Sequence, residues 1–440
     1  ALGMEFRIRG KARLRLFPSA SIALSDVRLR NRGTDLGTAE TLRVGVKLRP
    51  LLDRRIVITE LVLEKPVIRI EKGIDGKFNF ETPPRPAKPA AKEGEAPSAS
   101  MVVSTGSVSA GKIVYVDRKT ESETSLDAID LSVRDLSIPT APGAKLRKGI
   151  SFSGDLSAKE LKTNDFTMTD VRAKVTAGAG VYEFRPFTMK LFGGTGEGGI
   201  RVDLSGETPA LKVKYTLAKF RSEESLAALA REKYLSGPMT VTPDLSFRGK
   251  DVDEMKRTLS GTVSLQGDGL TFHGMVIDEI LSKAEDAQKL GLADVGAFVL
   301  AGPLGSAALK GYRYGNLYRS ATRQGETRIA RLVSDWTVRD GVADAGDVAF
   351  STGKNRIALK GKLDLVNGRF VDVTVAALDG KGCAKLRQKI SGPFGEPRMD
   401  KISVLQSFAQ PFLGAFERAG KLLGITSCEL FYTGTVQHPT

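Results

Sequence analysis

Few residues in this 440-residue chain are spaced for chemistry. A GxGxxG pattern stands at Gly194, Gly196 and Gly199. In a dinucleotide site such glycines join a strand to a helix whose N-terminus receives the pyrophosphate. Here Ile200, Arg201, Val202, Asp203 and Leu204 follow, an alternating strand, so the pattern reads as a hairpin turn. The two histidines, His273 and His438, have no partner at metal-ligand spacing. Cys383 and Cys428 are 45 positions apart and belong to no CxxC pair. No GxSxG sequence sets up a nucleophile. Asp278 and Glu279 open a helical pattern, where carboxylates are favourable charges near the helix dipole. No catalytic residue, metal ligand or cofactor is therefore expected, and the chain reads as a non-enzyme.

Charge offers binding instead. The formal net charge is +15, and residues 1–55 hold 13 Lys plus Arg against 5 Asp plus Glu, or +8. Such a basic end suits anionic lipid headgroups, nucleic acid or simply a solvated face, since Lys and Arg are rewarded by neutralising phosphates. RNP-like aromatic strands and a basic recognition helix are missing, and Trp336 is the single tryptophan, so no nucleic-acid partner is expected. The 41% hydrophobic and 27% charged content is that of an ordered chain. No run of 18 apolar residues occurs, so no membrane-crossing helix is expected in this sequence. Ala1 to Met4 lead straight into a strand pattern, from which an absent upstream segment is expected.

The elements that would carry any binding surface alternate with period two. Phe6, Ile8, Ala12, Leu14 and Leu16 occupy even positions, and Arg7, Arg9, Lys11, Arg13 and Arg15 occupy odd ones. The same pattern predicts strands over 21–30, 57–64, 67–71, 108–116, 126–138, 149–157, 167–177, 181–192, 199–204, 210–217, 239–247, 261–272, 304–314, 328–338, 342–350, 357–365 and 369–376. Short spacings with few helices between predict antiparallel pairing, because parallel pairs need long crossovers. Helical spacing appears over 222–235, 277–290 and 402–423, with Pro411 dividing the last. The resulting organisation is an N-terminal β module over 1–82, a disordered Pro/Ala/Lys/Glu linker over 83–100, a main β body over 101–390 and an amphipathic helical C-terminal segment over 391–440. An apolar face of this kind can close into a sandwich core or remain an open trough.

Four blocks resemble the AsmA family of envelope proteins. They are RLRLFPSASIALSDVRLRN at 13–31, VKLRPLLDRRIVITELVLEKPVIRIEKGIDGKFNF at 46–80, TGSVSAGKIVYVDR at 105–118 and MKLFGGTGEGGIRVDLSGETPALKVKYTL at 189–217. The resemblance implies a mainly β fold: an elongated, strongly twisted antiparallel sheet forming an open apolar groove, as in bridge-like lipid carriers. It implies a periplasmic protein tethered to the inner membrane of a Gram-negative cell by an N-terminal helix that this sequence lacks. The implied function is phospholipid transport between the inner and outer membranes and support of outer-membrane biogenesis. The alternative is a structural protein affecting outer-membrane protein assembly without carrying lipid. The expected groove positions are Phe187, Met189, Leu191, Ile200, Val202, Leu204, Leu211, Val213, Tyr215 and Leu217, and the partner is a phospholipid or other acyl-chain lipid. The residues alone leave Cys383 and Cys428 either reduced or paired. The oxidising periplasm implied by the resemblance makes them a disulfide.

Overall fold

The computed structural model describes residues 5–17, 20–31, 33–47, 57–81, 100–139, 146–229, 233–274, 276–282, 325–404, 428 and 430–439. These fall into two compact units, Ala1–Leu191 with Gly196–Leu211, and Phe192–Thr195 with Lys212–Thr440.

The first unit contains β1 (Glu5–Ile8), β2 (Ala12–Arg15), β3 (Ala20–Asn31), β4 (Thr34–Val46), β5 (Ile58–Glu64), β6 (Val67–Lys72), β7 (Ser100–Asp117) and β8 (Ser122–Pro139). After the turn of helix α1 (Leu146–Gly149) come β9 (Ser151–Lys162), β10 (Thr167–Gly178), β11 (Val181–Leu191) and most of β12 (Gly194–Asp203). Sequence neighbours pair antiparallel along the ladder from β3 to β5 and from β7 to β11. β1 and β2 are two pieces of the expected first strand, broken at Gly10, and both pair with β3. A side chain at Gly10 would stand 2.6 Å from the Ser25 carbonyl oxygen, so the close approach requires glycine.

One link departs from the antiparallel expectation. β5 and β6 both pair parallel with β7, from Ile58 opposite Val103 to Lys72 opposite Asp117. The stretch between Lys72 and Ser100 is long enough to be the crossover that a parallel pair demands. The ladder thus continues across the 83–100 segment, whose own residues up to 99 lie outside those described.

The second unit takes most of β13 (Ala210–Arg221), then helix α2 (Ser222–Leu229), β14 (Leu235–Ser236), β15 (Pro238–Arg248), helix α3 (Val252–Arg257), β16 (Ser260–His273) and helix α4 (Ile277–Ser282). It continues with β17 (Glu326–Arg339), β18 (Val342–Ser351), β19 (Arg356–Asp364), β20 (Arg369–Leu378), β21 (Ala384–Pro393), β22 (Arg398–Met399) and β23 (Ser403–Val404). From β15 to β21 this is an antiparallel meander, closed at one edge by β22 and β23 on β21. The fold is mainly β, with four short helices among the described residues.

Several expected boundaries move. The helix expected over 222–235 is helical to Leu229, and Leu235 already pairs with Phe272. The helix expected over 277–290 is described only through Ser282. Residues 149–150 precede β9 because Leu146–Gly149 forms a helical turn. Ser403 and Val404 are strand where a helix was expected from 402, since both pair with β21; residues 405–427 of that helix and the strand over 304–314 lie outside the described residues. The GxGxxG glycines are not in the turn. That turn is Phe192–Gly193, both with positive φ, and the three glycines belong to β12. Gly194 is required there because a side chain would stand 2.7 Å from the Phe220 backbone.

Candidate functional site

Residues directly opposite in a sheet share a face, so the registers show what each face presents. One row of the first unit runs Leu14, Ile22, Val44, Leu61, Gly106, Val133, Gly154, Val175, Phe184. The next runs Ala12, Leu24, Leu42, Leu63, Val108, Leu131, Leu156, Ala173, Phe187. Another runs Phe6, Leu29, Gly37, Ile68, Ile113, Leu126, Leu161, Met168, Leu191. Between the last two lie Ile8–Val27–Ala39 and Ile129–Ala158–Val171. Every member is apolar or glycine. The alternation of each strand therefore becomes an apolar floor crossing from β1 to β11.

Neighbouring strands are about 4.8 Å apart, so each row is roughly 40 Å long. Along β3 the outer rows, at Ile22 and Leu29, lie seven residues apart, which makes the floor roughly 20 Å wide. Its centre is packed: Ile129, Ala158 and Val171 are buried and hold Leu126, Leu156, Leu161, Met168, Phe187 and Met189 against them. Those packed side chains, and Leu131 and Phe184 beside them, are only half-buried.

A crease lets one face stay apolar along such twisted strands. Asp26, Ala110, Ala128 and Asp170 in mid-strand, and Lys65 in the link between β5 and β6, have φ between +45° and +52°. Left-handed residues other than glycine are uncommon, and five fall on neighbouring positions of the ladder. Each shifts the period by one, so that residues three apart, such as Leu126 and Ile129 or Met168 and Val171, face the same side. The polar face of the crease carries cross-strand ion pairs: Lys65–Glu40 at 2.8 Å, Lys112–Asp127 at 2.6 Å and Lys190–Asp170 at 2.7 Å. The hydrogen bond from Lys112 holds the Asp127 carboxyl below the ordinary carboxylate range, and that from Lys190 does the same for Asp170. The hydrogen bond to Glu40 raises Lys65.

A depression of about 690 Å³ is lined by Val108, Leu131, Leu156 and Ala173 of the second row together with Ser107, Asp130, Ser132, Asp155, Ser157, Arg172, Lys174, Pro186 and Thr188. The hollow therefore has apolar as well as charged lining residues.

The expected groove residues are distributed as follows. Phe187 and Leu191 end two of the rows, and Met189 packs with Phe187 on the buried cluster. Ile200, Val202, Leu204 and Leu211 belong to the first unit and are half-buried. Val213, Tyr215 and Leu217 belong to the second, with Tyr215 and Leu217 buried. The expectation centred on β11 to β13 and missed Leu131, Leu156, Leu161 and Ala173. The same period two marks them in the sequence.

The second unit uses its faces otherwise. Val333, Ala349, Ala358 and Ala376 form a cross-strand row. Phe431, Tyr432 and Val436 of the C-terminal segment pack on it. Cys383 and Cys428 form the disulfide, Cα atoms 5.6 Å apart, that brings this segment to the edge of β21. The Tyr432 hydroxyl donates to Asp347 at 2.5 Å, Thr435 donates to the same carboxylate through its N–H and hydroxyl, and buried Arg356 donates to the Val436 carbonyl at 3.1 Å.

The remaining chemistry-bearing residues are structural. His273 bonds Ser236 and Glu326, and His438 bonds the Pro439 carbonyl. Asp278 accepts from Thr352 and Asn355. Among the described residues no group of His, Cys, Asp and Glu could hold a metal ion, and no helix is long and apolar enough to cross a membrane.

Residues 1–160, which contain β1 to β8 and most of β9, match the AsmA family. That segment, just over a third of the 440 residues, is similar to the AsmA family. The matched segment supplies more than half of each row and the crease from Asp26 to Ala128. No curated protein and no solved structure matches the chain significantly. Similarity to the AsmA family over this segment fits a role in the bacterial envelope, in outer-membrane biogenesis or lipid transport.

Proposed function

We propose that the apolar floor of the first unit holds the acyl chains of phospholipids, and that the protein carries them between the inner and outer membranes as a non-enzymatic component of the periplasm. The observation that carries this proposal is the set of unbroken apolar rows, most of whose residues are half-buried or exposed. An acyl chain exposed to water costs about 0.8 kcal/mol per methylene, or on the order of 10 kcal/mol for sixteen carbons. A leaflet of a bilayer is about 15 Å deep. A floor of roughly 20 by 40 Å can therefore cover such a chain. No cofactor enters this transfer, and no residue of the floor carries a nucleophile.

Lipid co-purifying with the protein, identified by mass spectrometry, tests the proposal. Phospholipid is expected with the wild type. Leu156→Asp and Phe187→Asp, two half-buried positions in one row, are expected to lose most of it while retaining β circular dichroism. A lipid-free wild type would leave the role of a scaffold for outer-membrane protein assembly instead.

A further inference from the structure

The edge at which the floor begins differs from the rest of it. Among the described residues β1 and β2 pair only with β3, so their outer backbone edge is open. Leu14, Leu16 and Phe17 are 67%, 57% and 85% exposed, far more than the half-buried centre of the floor. Five cations, Arg7, Arg9, Lys11, Arg13 and Arg15, stand against one acid, Glu5, over residues 5–17. Arg7 pairs with Glu5, and Arg15 donates to the Phe17 carbonyl. Arg9, Lys11 and Arg13 are exposed and make no ion pair among the described residues.

We infer that this edge docks on the surface of an anionic phospholipid bilayer. Exposed leucines and a phenylalanine beside long cations match the headgroup boundary, where apolar side chains enter the acyl region and Lys and Arg reach the phosphates. A second copy of the chain fits poorly. Edge-to-edge pairing would set two arginine-rich strands side by side, and edge cations oppose such pairing. Nucleic acid would use the cations but leave Leu14, Leu16 and Phe17 in water. Resting on the lipid-binding proposal above, the docked edge is the mouth of the floor, because Leu14 is the first residue of a row that continues into Ile22 and Val44.

The test is co-sedimentation of the full chain with vesicles of phosphatidylethanolamine and phosphatidylglycerol, beside vesicles of phosphatidylcholine alone. Binding to the anionic vesicles that weakens with salt is expected. Each cation near such a surface contributes about fivefold. Arg9→Gln with Lys11→Gln and Arg13→Gln should therefore bind roughly a hundredfold more weakly. Leu16→Ser with Phe17→Ser should also lose affinity but keep the salt dependence, since these exposed positions hold none of the core. Co-purified lipid in the same preparations reports on the floor independently. If lipid is present and vesicles do not bind, the docking inference fails and the floor stands. Equal binding to both vesicle types would overturn the inference, as would unchanged binding by either variant. Self-association abolished by the arginine substitutions would also overturn it.

Discussion

In the first unit Leu131 faces Leu156 across β8 and β9, and both are half-buried; in the second Phe350 faces Ile357 across β18 and β19, and neither touches water. The strands are built on the same alternation. In the second unit, though, Val348–Ser351, Arg356–Leu359 and Val375–Leu378 are buried four in a row, so both faces are covered. Residue size explains part of the difference. The alanines at 349, 358 and 376 leave room for Phe431 and Tyr432 of the same chain. The rows of the first unit instead present Leu, Met and Phe. A period of two says which face is apolar; what lies over that face decides between a core and a floor.

The contrast breaks most clearly under matched truncations. Phe350→Ala removes a fully buried ring and should cost about 3–5 kcal/mol. Leu161→Ala removes a half-buried side chain that leaves no closed cavity, and should cost about 1 kcal/mol. Trp336, the only tryptophan, is buried in the second unit and pairs with Ala345 of β18. Urea titration followed by its fluorescence should shift strongly for Phe350→Ala, while amide hydrogen exchange of β9 should change little for Leu161→Ala. Equal losses of stability in the two units would mean that the floor is a packed core after all.

The second expectation concerns the cover itself. Closing a loop of 45 residues contributes about 4 kcal/mol at most in the chain-entropy picture. Replacing Cys383 and Cys428 by serine should lower the Trp336 transition by about 2–4 kcal/mol and speed proteolysis after Leu430. Retention of the wild-type midpoint would show that the Tyr432, Thr435 and Arg356 hydrogen bonds suffice to hold the segment.

How far these differences were readable before the structure depends on the kind of signal. Strand positions were legible because alternation survives in nearly every one, from Phe6 to Ala376. The parallel pairing of β5 and β6 with β7 was not. A proline-rich stretch carries no mark that distinguishes a loop from a crossover. The crease was also hidden, since Ala110, Ala128 and Asp170 are not the Gly or Asn that usually announce a left-handed residue. Its one trace is apolar spacing of three, Leu126 to Ile129, Ala158 to Leu161 and Met168 to Val171. The seat of Phe431 and Tyr432 depends on Val333, Ala349, Ala358 and Ala376, scattered over four strands that only tertiary structure brings into one row. The disulfide followed from the compartment implied by family resemblance, not from spacing.

The smallest effects set the two units against each other in pH. Asp335, in β17, is raised above its ordinary value of 3.8, first by burial and further by nearby Asp347, while Ser264 opposes the shift; its Oδ1 has no hydrogen-bond partner among the described residues. Its folded form binds the proton more tightly than the unfolded chain, so the second unit loses stability as pH rises from 3.8 through that raised value. Asp127, in β8, is lowered from 3.8, first by the hydrogen bond from Lys112. It contributes stability above the unfolded value, and that contribution disappears as pH falls through the lowered one. Asp335→Asn should therefore raise the Trp336 midpoint at neutral pH, with the gain vanishing in acid. Asp127→Asn should lower first-unit stability at neutral pH by less than about 1 kcal/mol, since the pair is partly exposed, and match the wild type in acid. Trp336 fluorescence reads the first variant, and amide hydrogen exchange of β8 reads the second. If both variants moved in the same direction at neutral pH, burial in the second unit and ion pairing in the first would not be the forces that separate them.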